Sequence, residues 1–570
     1  MRPAKTKMTK GDGLVLHPDC WKKGVLTAAL AALFVIVGAD SIYCVTLTVD
    51  ARAKGRAISP YIYGVAYAPS ADYVRAGGFG LIRWGSTGAS AYNWTAHATN
   101  VGLDWYFSNT SGINSLDPVT PCDFLRRGKS NGAAGIISIP ALGWVAKDTA
   151  SYSFSVVKYG QQTATNPQRP DAGNGRRPDG KTLGGNNPRD SRVPSFPYRR
   201  GHEPADSVFM DEWIRSMRQH CREAKPALYA IDNEPEIWHV GHRDVHPKPA
   251  GYDEILRTFL EYANVVKKED PAGLVTGPVT NGWYNYWSSE LAGDKAAHGG
   301  EDFLPWFLQQ VRAHDQARGR RSLDVLDVHF YPAELFFSNQ SDPLTNSLRL
   351  RTTRSLWDPS YKDETTLTRY SPDHRQAEPT RLMLIPRLLR LLERTYPGTR
   401  LGISEWNFGA GHTINGGLVT AEILGIMGRE GLFLASHWQG PRGYPDPGWP
   451  SFQAFRLLRN ADGKGTRFGD HSVPAWSTDW DRLSVFAAKE GRGDILTLLV
   501  INKDPAQDLT AQVQVAGFKP AKHASVYRLS GANTSTIVRE AQISVLGPTF
   551  TATFPRYSAT LLVFPSADSP

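Results

Sequence analysis

The sequence predicts an α/β fold, a (β/α)8 TIM barrel with a second all-β sandwich domain built from both chain ends. Three observations predict it. Short apolar runs rich in β-branched residues alternate with amphipathic helical stretches as far as residue 475. Two of those runs, 227–231 and 400–403, stop at polar clusters that carry Glu234 and Glu405, on the strand-end rim where such a barrel does its chemistry. From residue 484 onward, alternating strands follow one another with no helix signal between them. The expected spans are a signal peptide at 1–39, the barrel at 59–475, and a sandwich made of 40–58 plus 476–570.

At the amino end, Lys22 and Lys23 precede 13 uncharged residues, 25–37, too short a run for the roughly 20 apolar residues of a membrane span but suited to a signal-peptide core. Val37-Gly38-Ala39 offers a cleavage site. The chain is therefore expected to be secreted or periplasmic, without stable membrane association after cleavage. An uncleaved anchor is the alternative, because Ile42, Tyr43 and Val45 soon resume apolar character. Cys44 lacks the preceding small residues of a lipid-anchor signal.

Of the formal charge of +9, six basic and two acidic residues lie in the leader, which leaves +5 on the rest. That mild excess has no basic patch interleaved with aromatics, so no nucleic-acid partner is expected. The four cysteines show no metal spacing; Cys20 falls in the leader, and Cys44, Cys122 and Cys221 allow at most one disulfide.

In chain order, 44–50 alternates apolar and polar residues and is expected to join the second domain. Barrel strands are expected at 62–66, 81–84, 136–139, 227–231, 274–279, 325–330, 400–403 and 432–437, with 143–148 completing the third. Helical periodicity marks 208–220, 252–268, 303–313, 379–396 and 417–430. A hairpin strand is expected at 151–156. The Gly-, Pro- and Arg-rich segment 166–192 and the polar segment 338–377 read as long irregular loops, the arginines of the first as solvated, with a cleft-rim role as the alternative. Trp283, Tyr284, Tyr286 and Trp287 follow the fifth strand as either a stacking platform or a packed lid. The sandwich strands are expected at 483–487, 495–501, 509–515, 524–529, 541–545 and 559–564.

Glu234 and Glu405 lie 171 residues apart, so only tertiary structure can join them. Across a barrel mouth they make the pair that two-carboxylate glycoside hydrolysis needs, one acid protonating the leaving oxygen and the other attacking the sugar carbon. Arg83, at the end of the second strand, is a cation that could hold a carboxylate ionised. Asn233 stands beside Glu234, and His329 and Tyr331 close the sixth strand.

At these residues the chain resembles glycoside hydrolase family 44, endoglucanases and xyloglucanases of the retaining (β/α)8 clan. The matching words are IYGVAYAPS (62–70), LIRWGSTGASAYNW (81–94), GLDWYFSN (102–109), IPALGWVAKD (139–148), YAIDNEPEIW (229–238), DVHFYP (327–332) and ISEWNFGAG (403–411). GSTGAS at 85–90 departs from the Pro-Gly-Gly type of turn expected there.

The resemblance implies that Glu234 is the acid/base and Glu405 the nucleophile, that Arg83 and Tyr331 contact the nucleophile with His329 near the reaction centre, and that Asn233 bonds the sugar's 2-hydroxyl. It implies a secreted endo-β-1,4-glucanase on cellulose-type glucans or xyloglucan, with xylan or mannan as alternative substrates and a non-hydrolytic sugar-binding protein as an alternative class. Trp84, Trp94, Trp144, Trp238, Trp283, Trp406 and Trp438 are the candidate sugar-stacking residues, since an indole stacks its apolar face while its edge stays wet. No catalytic cofactor or metal ligand set is expected, a structural ion is left open, and the chain is expected to act as a monomer on polysaccharide.

Overall fold

The computed structural model describes residues 45–567 apart from 114–118, 337, 368–380, 441–442 and 492. The leader, Cys20, Cys44 and part of the 338–377 segment therefore lie outside the described residues.

Eight parallel strands close into a barrel: β1 Gly64–Ala66, β2 Leu81–Trp84, β3 Ala134–Ile139, β4 Leu228–Ile231, β5 Leu274–Thr280, β6 Val325–Phe330, β7 Arg400–Trp406 and β8 Leu434–His437. Strands covered on both faces can be apolar throughout, and β4, with all four residues buried, is an example. Helices wrap the outside by their apolar stripes. Leu384, Ile385, Leu388, Leu391 and Leu392 form one buried face of the helix Leu384–Thr395. Gly64 lets β1 approach β8, since a Cβ there would collide with the Ala435 carbonyl.

Both chain ends build two further sheets. Val45–Asp50 lies between Ala475–Ser477 and Leu509–Ala516 in a four-stranded sheet, and every second residue of it is buried. The other sheet has seven strands, from Arg56–Ala57 and His471–Val473 to Asn533–Ser544. The sheet strands thus begin at His471, before the expected boundary at 476, and Thr549–Phe554 is a strand the pattern did not suggest.

Four local expectations are corrected. Trp144–Ala146 does not extend β3: the chain turns at Pro140, the Ala141 amide bonds Asp232 Oδ2, and the segment pairs instead with Arg192–Phe196. Residues 151–156 make isolated bridges and then a short helix, Val156–Tyr159, capped by Ser155. The 166–192 segment contains a hairpin, Thr165–Asn166 with Arg169–Gly173, and Arg192 is fully buried rather than solvated, 2.9 Å from Asp244. The 338–377 segment contains the helix Pro343–Thr352, started by Asp342, whose Oδ1 accepts from the Leu344 and Thr345 amides.

The cysteine count left the pairing open, and the structure joins Cys122 to Cys221, 99 residues apart. The bond ties the first turn of the helix Pro121–Lys129 to the end of Met210–His220, across the unit that delivers β4. Replacing Cys122 by Ser is expected to destabilise the fold by about 2–4 kcal/mol through the freed unfolded chain. Urea unfolding of oxidised parent and variant checks this, and coincident midpoints contradict it.

Candidate active site

Glu234 follows β4 on a backbone that few non-glycine residues adopt, with φ of 62° at Asp232 and 47° at Glu234. Asp232 holds that turn. Its buried carboxylate accepts from Ser90 Oγ, the Asn233 and Ala141 amides and Trp238 Nε1 at 2.5–3.0 Å, while the Glu234 amide donates to the Val279 carbonyl at 3.0 Å. The outcome is a glutamate pinned at the strand lip with its side chain aimed over the mouth.

Across the mouth, the register of β6 and β7 slips by one residue. Val328 pairs with Ile403, but His329 pairs with Glu405, which leaves Ser404 as an extra residue. A bulge of this kind re-aims the side chains beside it. Asp327 fixes the slip by accepting from the Ser404 amide at 3.1 Å and from Thr276 Oγ1 at 2.9 Å. Asp327, His329 and Tyr331 share one side of β6 by the period of two, so His329 and Tyr331 meet the carboxylates.

The geometry is compact. Arg83 Nη1 donates to Glu405 Oε1 at 2.5 Å, and Nη2 donates to Asn233 Oδ1 at 2.6 Å. Tyr331 donates to Glu405 Oε2 at 2.7 Å. His329 Nδ1 lies 2.8 Å from Glu234 Oε1 and 3.5 Å from Glu405 Oε2, so one nitrogen touches both acids. Carboxylate oxygens of Glu234 and Glu405 and a His329 ring nitrogen all fall within 4.8 Å of one another.

Electrostatics separates the two acids. Burial raises the pKa of Glu234 and the charge of Glu405 adds to it, against the bond from His329. Burial would raise Glu405 too, but the imidazole of His329, the Arg83 guanidinium and the Tyr331 hydroxyl outweigh it and hold Glu405 below the ordinary range. Glu236, fully buried behind the turn, is pushed by burial up to about 8. Glu234, His329 and Glu405 also have the spacing of a metal-binding group, but the Arg83 guanidinium bonded to Glu405 fits a carboxylate pair better than a divalent cation.

A cavity of about 390 Å³ contains Asn233, Glu234, Tyr331 and Glu405 and is lined further by Trp283 and Trp438. Of the seven indoles singled out in the sequence, only these two line it. Trp84 and Trp406 are buried, Trp84 edge-on to Tyr92 and Phe124 and Trp406 to His437. Trp238 is spent on Asp232. Trp94 donates to the Phe209 carbonyl, and Trp144 stands in the accessory sheet near Arg189. Trp84, Trp238 and Trp406 are enclosed by their own chain and present no face to a sugar, whereas Trp94 and Trp144 are partly exposed and stand outside this cavity.

Of the aromatic quartet, Trp283, Tyr286 and Trp287 are buried and Tyr284 remains open on the rim. Sequence reasoning missed Asp104, Asn281 and Phe336, which also line the cavity. Asp104, its outer edge open to solvent, is held at about 6 by its enclosed surroundings and by both glutamates, against a bond from Thr87. The only signal for it was the Tyr-, Trp- and Asn-rich stretch 91–106, expected to form a mouth loop.

The sequence profile of glycoside hydrolase family 44 matches residues 98–334. The crystal structure of CelM2, a bifunctional glucanase-xylanase from a metagenome library, superposes with a TM-score of 0.83 at 36% identity, covering 92% of this chain and 99% of that one. The chain belongs to glycoside hydrolase family 44. A Paenibacillus polymyxa xyloglucanase of family 44, solved with xyloglucan, superposes with a TM-score of 0.78 at 26% identity over 92% of this chain and 100% of that one. Endoglucanase A of Paenibacillus lautus is 28% identical over 92% of this chain and 73% of its own length. This family 44 chain is accordingly a glycoside hydrolase of β-glucans.

In this family 44 site, Arg83 bonds Glu405 and Asn233 with separate nitrogens, which a lysine ammonium cannot reproduce. Arg83→Lys is expected to lower kcat/KM by about 10²–10³-fold. It also moves the acid limb of the pH–rate profile to higher pH, because Glu405, no longer held down, keeps its proton longer as pH rises. An unmoved acid limb contradicts this reading.

Proposed function

We propose that the chain is a secreted retaining endo-β-1,4-glucanase that cleaves internal bonds of cellulose-type glucans or xyloglucan by double displacement. Glu234 gives its proton to the leaving glycosidic oxygen while a Glu405 oxygen attacks the anomeric carbon, so the C–O bond breaks as the ester bond forms. Water then adds to that carbon, Glu234 takes its proton, and Glu405 leaves as carboxylate. The observation that carries this reading is the approach of the two carboxylates to within 4.8 Å, which suits the separation of about 5–5.5 Å used in retention and leaves no room for the water of inversion.

The split in pKa supports the assignment of roles, since the acid must hold a proton while the nucleophile stays charged. Asn233, oriented by Arg83, is suited to bond the 2-hydroxyl, and Trp438 to lie against the ring in the reacting subsite. Secretion is supported by the leader pattern at 1–39 and by the Cys122–Cys221 bond, of a kind that persists in oxidising compartments. The similarity to CelM2 favours xylan as a second substrate.

Alanine variants with azide as external nucleophile test the roles. Glu405→Ala is expected to be inactive on glucan and, with azide, to form an α-glycosyl azide. Glu234→Ala is expected to lose about 10²–10⁴-fold on glucan, to retain turnover of aryl glycosides with good leaving groups, and to form the β-azide. The exchanged result, a β-azide from Glu405→Ala and an α-azide from Glu234→Ala, would reverse the assignment.

A further inference from the structure

Around the barrel mouth the strands stand in the order β4, β5, β6, β7, β8, β1, β2, β3. Asn233, at the end of β4, is suited to the 2-hydroxyl of the reacting sugar. Tyr331, at the end of β6, donates to Glu405 Oε2 at 2.7 Å, so its phenol meets the ring oxygen, where positive charge develops in the transition state. The anomeric carbon lies between those two points of the ring. The bond to be broken therefore leaves the ring between β4 and β6, over the end of β5, and the far end of the sugar points toward β1.

Two aromatic rings stand at that exit. Tyr284 lies in the turn Trp283–Tyr286 after β5, and Phe336 closes the turn Ala333–Leu335 after β6; both line the catalytic cavity and each is 40% exposed. Trp283, beside Tyr284, is only 2% exposed, so the turn packs one ring and presents the other. That turn is firmly seated, because Tyr286 donates to the His329 carbonyl at 2.5 Å and the Asn285 amide to the Gly282 carbonyl at 2.9 Å. Phe336 leans on the Tyr331 ring, with centres 5.2 Å apart. A ring held open on a fixed turn offers an apolar face that suits the C–H face of a pyranose. On the β2 side the cavity lining differs in kind: Ser86, Thr87 and Asp104 offer hydrogen bonds and no ring face.

We propose that Tyr284 and Phe336 form the subsite for the leaving part of the polysaccharide, on the reducing-end side of the bond that breaks. The proposal rests on the reading of Glu234 as acid/base and Glu405 as nucleophile. The sugar that takes the Glu234 proton lies against these rings, and water enters by the same arm once it has left.

Tyr284→Ala tests this, since Phe336 touches Tyr331 and so bears on the nucleophile as well. Two substrates are compared with the full chain: cellopentaose, whose leaving group is a sugar chain, and β-cellobiosyl fluoride, whose leaving fluoride is too small to reach Tyr284. Relative to the parent, Tyr284→Ala is expected to lose kcat/KM about three- to tenfold further on cellopentaose than on the fluoride, the worth of one aromatic contact. Tyr284→Phe, which keeps the ring, is expected to recover most of that difference. An equal loss on both substrates would make Tyr284 a packing residue or put it on the other arm of the cleft, and overturns the proposal. So does a loss on neither. A parent enzyme that turns over neither substrate would overturn the proposed function instead.

Discussion

Two carboxylates meeting at one imidazole nitrogen are the constraint on which the rest of this structure depends. Glu234 and Glu405 both approach His329 Nδ1, with side chains only 13% and 8% exposed, and like charges so close cannot both ionise freely. The surrounding residues settle the conflict by being unequal. Glu405 receives a guanidinium on one oxygen and a phenol on the other, whereas among the described residues Glu234 receives the imidazole. The imbalance raises the pKa of Glu234 and lowers that of Glu405. Since the pair titrates as a unit, a change to Arg83 or Tyr331 alters both acids at once.

Holding that asymmetry requires precision at strand ends, and buried carboxylates that never touch the reacting atoms provide it. Asp232 fixes the left-handed turn that lifts Glu234, and Asp327 fixes the slipped register that turns Glu405 toward His329. Asp232 lies two residues before Glu234, and Asp327 bonds the amide of Ser404, the residue before Glu405. Farther out, Arg192 plays a similar part. It pairs with Asp244 and bonds Asn100 Oδ1 at 2.9 Å, and Asn100 also accepts from the Gly102 amide, so the short turn that presents Asp104 is anchored in the interior.

Much of the barrel was legible because buried parallel strands are short apolar runs, and the two glutamates were legible because each terminates such a run. The cavity walls were not. A tryptophan carries the same signal whether it packs a core or faces a sugar, so Trp84, Trp238 and Trp406 read like Trp438 until their neighbours are known. Arg192 sat in a segment whose composition suggested solvation, yet its partner Asp244 lies 52 residues away, beyond any local pattern. Asp104 and Phe336 reach the cleft from loops whose position is fixed only when the barrel closes. His329, expected only near the reaction centre, is the side chain that touches both acids, and the slip in register that puts it opposite Glu405 leaves no trace in composition.

The central claim is that Glu405 attacks the sugar from the face opposite the leaving group and that water later arrives from the leaving-group side. Proton NMR of the anomeric signals during the first minutes of cello-oligosaccharide hydrolysis tests it directly. The account predicts that the β-hemiacetal appears first and the α-form grows in only by mutarotation. Initial appearance of the α-hemiacetal would mean a single displacement by water and would contradict it.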